Sequence, residues 1–128
     1  MASHSDDDLM NSLADSDAQA LDSLPFGVIG LRDPGIVTSY NGFEQQTSGF
    51  PADRVLGRSF FTEIAPCTNN SEVRGRFVEA WEQGRECDEL LEYSFAYKGR
   101  DTPVQLRLLV KAAQGWLVVK ILKPDAST

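Results

Sequence analysis

The chain has very little histidine. Its one imidazole, His4, lies in the first few residues of a 128-residue sequence. The body therefore has no Ser–His or Cys–His couple, no histidine-rich metal set and no imidazole general base. Cysteine is almost as scarce. Cys67 and Cys87 are too few for a disulfide framework and, without histidine, cannot make a conventional zinc site. No apolar run approaches the roughly 18–20 residues that span a bilayer. The start, MASHSDDDLM, lacks the basic and then apolar stretches of a signal peptide. A soluble, cytoplasmic protein with no membrane partner is expected.

Basic residues are missing from one place in particular. Residues 1–23 hold six aspartates and no Lys or Arg, while the remaining 105 residues carry 13 acids and 12 bases. Six of the seven units of net negative charge thus belong to the N-terminal segment and the body is nearly neutral. Nucleic-acid binding, which needs a basic patch to neutralise phosphates, is not expected.

What remains is a chain with 41% hydrophobic residues, enough for one cored domain. Ser5 before three aspartates and the Ser16-x-x-Gln19 box predict two short helices in an N-terminal cap, residues 1–24. The cap should dock through Leu9, Met10, Leu13, Leu21 and Leu24, because helices so short are unstable alone. In the core, residues 25–128, Phe26–Leu31 and Ile36–Tyr40 read as strands around the Asp33-Pro34-Gly35 turn. Asn41 and Glu44, at capping-box spacing, open a short helix; Pro51 and Gly57 bound another turn. Val73, Phe77 and Trp81 share one face of a helix predicted over Ser71–Gln83 and ended by Gly84. Leu91, Tyr93, Phe95 and Tyr97 alternate along one strand and Val104, Leu106, Leu108 and Val110 along the next. Lys98–Asp101 and Gln114-Gly115 read as turns, and Trp116–Leu122 as the last strand. The order implies an α+β domain with an antiparallel sheet, helices on one face and the cap on the other.

Tyr40, Glu44, Ser48 and Cys67 are the polar candidates of the central segment, and they form no hydrolase pattern. Taken singly, each has a plain structural reading. Cys67 could be an inert thiol, Glu44 the third residue of a capping box with Asn41, Tyr40 a strand-end aromatic and Ser48 a local cap. Cys87 reads as a structural or partly exposed thiol near a strand start.

Together, the stretches LPFGVIGL, YNGFEQQTSG and FFTEIAPCTN resemble the photoactive yellow protein family, blue-light receptors of the PAS superfamily. The resemblance runs from the cap to the last strand. It implies a PAS fold with a five-stranded antiparallel sheet, and p-coumaric acid (4-hydroxycinnamic acid) held as a thioester on Cys67. It places Tyr40 and Glu44 on the chromophore's phenolate oxygen, with Ser48 supporting Tyr40. Ile29, Phe50, Phe60, Ile64, Ala65, Thr68, Phe95 and Tyr97 would line the pocket. It further implies a non-enzymatic sensor, monomeric or weakly dimeric, in which Glu44 gives up a proton after light-driven isomerisation and the cap carries the signal to an unknown downstream protein. Two positions depart from the family pattern. Phe50 stands where an arginine often covers the pocket mouth, and Gly99 stands at or near a methionine that assists return to the dark state. A PAS ligand-binding or dimerisation module without photochemistry is the main alternative. A thiol enzyme is disfavoured by the missing base, and a flavin sensor by Pro-Cys-Thr around the cysteine.

Overall fold

The computed structural model describes residues 18–122. The expected first cap helix, with Leu9, Met10 and Leu13, lies outside the described residues. Five strands form one antiparallel sheet: β1 (Gly27–Arg32), β2 (Ile36–Tyr40), β3 (Cys87–Tyr97), β4 (Arg100–Lys111) and β5 (Gln114–Ile121), in the spatial order β2-β1-β5-β4-β3. Between β2 and β3 come α2 (Gly42–Ser48), α3 (Ala52–Val55), two single turns and α4 (Arg74–Gln83); α1 (Ala18–Asp22) precedes the sheet. Because β2 and β3 are opposite edges, everything between them must cross one face of the sheet. That crossing makes the helical layer.

Period-two burial sorts the side chains. Ile29, Leu31, Leu106, Leu108, Leu117 and Val119 turn toward the helical layer and pack with Phe60, Phe61, Phe77 and Trp81. Val28, Leu109, Trp116 and Val118 turn the other way and are covered by Leu21, Leu24 and Phe26. The α1 end of the cap therefore docks through Leu21 and Leu24, as its pattern predicts. Among the described residues no helix is long and apolar enough to cross a membrane.

Three elements differ from the sequence reading. The turn expected over Lys98–Asp101 is only Lys98-Gly99, because Arg100 and Asp101 already pair with Tyr97 and Ala96 in the β3–β4 ladder. The helix expected from Ser71 begins at Arg74, because Asn70 bends the chain first: its Oδ1 accepts from Val73 N–H at 3.0 Å and its carbonyl from Gly75 N–H at 2.9 Å. Gln114-Gly115 is not a turn. Both residues lie in β5, and the chain reverses at Ala112-Ala113, with Lys111 opposite Gln114. Gly115 is glycine for packing, since a Cβ there would meet the Phe77 ring at 2.9 Å and Trp81 at 3.1 Å. This is where α4 sits down on the sheet. Gly115→Ala should therefore cost about 1–3 kcal/mol by overpacking, whereas Ala at exposed Gln114 should be near neutral; urea unfolding of the two variants checks the contrast.

Candidate functional site

A cavity of about 520 Å³ opens between the helical layer and the β3 end of the sheet. Ten of the expected site residues line it: Tyr40, Glu44, Ser48, Phe50, Phe60, Ile64, Ala65, Cys67, Phe95 and Tyr97. Two do not. Ile29 is paired with Tyr40 in the β1–β2 ladder but is fully buried in the core. Thr68 is buried and spends its hydroxyl on the Ala65 carbonyl at 2.7 Å. Pro66, Ala96, Lys98 and Gly99 complete the wall.

Local folding puts the polar groups there. Tyr40 ends β2, and Asn41 turns the chain into α2. Asn41 Oδ1 accepts from Glu44 N–H at 3.2 Å, which is one half of a capping box. The other half is missing: Asn41 N–H donates instead to the Val28 carbonyl at 3.2 Å. The Glu44 carboxyl is thus released from capping and reaches across to β3, where Tyr97 Oη donates to Glu44 Oε2 at 2.5 Å. The two readings of Glu44 are both satisfied, by different atoms: its backbone is capped and its side chain enters the site. One turn later Ser48 Oγ accepts from Tyr40 Oη at 2.7 Å and from Phe50 N–H at 3.1 Å. The serine proton is then spare. If it turns toward Tyr40, the Tyr40 proton is free for a ligand.

Glu44 is 2% exposed, and its Oε1 has no hydrogen-bond partner among the described residues. Burial is the main cause that raises its pKa to about 7, with the Tyr97 bond working in the opposite direction. Tyr40 is pushed well above the usual phenol range by burial and then by the nearby Glu44 charge; Tyr97 moves the same way for the same leading causes. Gly27 makes the carboxyl's place possible, since a Cβ there would lie 2.0 Å from Oε1. A glycine inside a strand signals such a close approach, and this one could have been read from FGVIGL.

Cys67 sits in the short turn Pro66–Thr68, after a wider turn, Phe60–Ile64, closed by Ala65 N–H to the Phe60 carbonyl at 2.8 Å. That wide turn drives Phe60 and Phe61 into the core and leaves Ile64 and Ala65 on the cavity wall. Cys67 is a free, exposed thiol, and Cys87, the first residue of β3, is free and buried. Tyr93 Oη and Asn70 Nδ2 both donate to the Cys67 carbonyl, which ties the cysteine turn to β3. The sequence did not point to either partner. Around the rim, Phe50 is 44% exposed, and Lys98-Gly99 forms a two-residue turn with φ of 50° and 77°.

The raised Glu44 pKa fixes a sign. Between about pH 4.5 and 7 the folded chain keeps a proton that the unfolded chain has lost, so stability falls as pH rises through that window and is level above it. The full effect is about 3 kcal/mol. Glu44→Gln should therefore gain stability relative to the parent from pH 5 to pH 8, and urea midpoints of both chains across that range test it. A constant difference would mean that Glu44 does not titrate there.

The chain is similar to known proteins over most of its length. The PAS fold family model matches residues 17–118. The photoactive yellow protein of Halochromatium salexigens is 36% identical over 118 residues, covering 91% of this chain and 94% of that one. The one from Rhodobacter capsulatus is 38% identical over 101 residues, covering 79% and 80%. The crystal structure of the photoactive yellow protein domain from the sensor histidine kinase Ppr of Rhodospirillum centenum superposes with a TM-score of 0.79 at 31% identity, covering 86% of this chain and 97% of that one. With the PAS sheet, the matched length and these identities in hand, the chain belongs to the photoactive yellow protein family of PAS-fold blue-light photoreceptors.

Proposed function

We propose that the chain carries p-coumaric acid as a thioester on Cys67, and that the cavity between Cys67 and Glu44 is its chromophore site. The observation that carries this reading is an accessible thiol and a buried glutamate on the walls of one cavity, with one oxygen of that carboxyl, Oε1, lacking a hydrogen-bond partner among the described residues. A buried polar atom left unpaired costs about 1–3 kcal/mol, and a phenol oxygen offers the missing partner. When bound, the group supplies an isomerisable double bond and an ionisable phenol. Loading is acyl exchange: Cys67 Sγ attacks the acyl carbon of an activated p-coumaroyl thioester, the donor's C–S bond breaks, and the departing thiol takes the proton.

The chain's own residues do the rest. Tyr40 and the neutral Glu44 each offer an O–H to the phenolate, and charge-assisted bonds of this kind are short and strong. Phe60, Phe95, Tyr97 and Ile64 keep water from the buried end. After isomerisation Glu44 hands over its proton and becomes a buried anion against Gly27 of β1. Asn41 holds the carbonyls of Phe26 and Leu21, each at 2.9 Å, so strain at that strand end reaches α1. The cap's altered docking is the signal, read in the cytoplasm by a downstream protein. The chain works as a sensor, monomeric or weakly dimeric, and not as an enzyme.

Incubation with an activated p-coumaroyl donor, followed by mass and absorption spectra, tests this. A stable adduct absent from Cys67→Ala, with a blue band that bleaches reversibly, is the expected result. No adduct would leave a PAS ligand-binding module, and steady release of free acid would make it a thiol enzyme. With Gly99 in the rim turn, no flexible side chain at that position contacts the chromophore. Dark recovery should accordingly be slower than in family members with methionine there; recovery as fast as theirs would refute that expectation.

A further inference from the structure

The Tyr97–Glu44 hydrogen bond has a function of its own. It joins residues 53 apart in sequence, is fully buried, and engages one carboxyl oxygen only. A neutral carboxylic acid has one oxygen that accepts and one that carries the proton. A phenol that donates into Oε2 makes Oε2 the accepting oxygen and puts the acid proton on Oε1. That is the oxygen with no protein partner. Once Glu44 ionises, the same bond becomes charge-assisted and roughly doubles in strength.

We propose that Tyr97 is a positioning residue for Glu44: it selects the oxygen that carries the transferable proton, and it holds the carboxylate after that proton has left. The buried anion is then half-paired rather than orphaned, which limits how far ionisation can disrupt the core. Among the described residues no other side chain hydrogen-bonds the Glu44 carboxyl. Tyr40, from β2, is bonded to Ser48; Cys67 faces Tyr97 from the turn after α3; Lys98 lies at the rim; and Gly27 of β1 has no side chain. The inference rests on the preceding reading only in taking Glu44 as a proton donor. The pair itself is a property of the chain without its acyl group.

The test uses that chain. The infrared C=O band of protonated Glu44, isolated by subtracting Glu44→Gln, is followed against pH. The parent should titrate near pH 7. Tyr97→Phe, with no hydroxyl, should titrate about 1–2 pH units higher. Difluorotyrosine at position 97 keeps the ring and makes the hydroxyl a stronger donor, so its midpoint should fall below the parent's. This second variant decides the matter if the phenylalanine chain does not fold. An unchanged midpoint in the variants, or shifts of the opposite sign, would overturn the proposal. Failure of acylation on Cys67 would sink the chromophore reading and leave this titration as it stands.

Discussion

One side chain holds the site, the sheet and the cap in register. The Asn41 amide accepts from Val28 N–H and Glu44 N–H and donates to the carbonyls of Leu21 and Phe26, while its own backbone N–H bonds to Val28. Its amide oxygen therefore starts α2, its amide nitrogen clamps α1 and the loop that follows it, and both amide and backbone pin the first strand. Each of these groups is buried or half-buried, so none can fall back on water without cost. Tyr40 and Glu44 flank this residue in sequence. Their placement is a consequence of the clamp.

The clamp also explains why a costly carboxyl is tolerated. A capping-box glutamate ordinarily reaches back to the first residue of its helix. Here Val28 has taken that donor, and the carboxyl turns inward to a position that exists only because residue 27 has no side chain. Tyr97 meets one of its oxygens. The arrangement keeps Glu44 near its point of proton loss at neutral pH: burial favours the acid, and the phenol favours the anion.

Much of this could be read in the amino-acid order. Period-two alternation in β3 and β4, the Val73–Phe77–Trp81 stripe and the turn at Asp33-Pro34-Gly35 gave the sheet and the long helix their places. Spacing alone suggests Asn41 and Glu44 as a cap, and the role proposed for the cysteine comes from the resemblance of FFTEIAPCTN and not from its spacing. The losses have physical causes. Gly115 reads as a turn glycine because sequence does not show that Phe77 lies against it. Tyr93 and Asn70 were missed as holders of Cys67, and Tyr97 was expected only as a wall, because such bonds join elements that come together only after the chain crosses the sheet. Ile29 and Thr68 were placed one layer too far toward the cavity: alternation gives the face a residue points to, not its depth.

The crossing from β2 to β3 has a mechanical side. Ser48 and Glu44 lie one turn apart on α2, and they bond to Tyr40 and Tyr97, which end opposite edge strands of the sheet. The helix is therefore a lace drawn between the two margins of a curved five-stranded surface. The same sheet carries on its opposite face Trp116 and Val118, which receive Leu21, so the residues tied across the cavity and those that dock the cap share one set of strands.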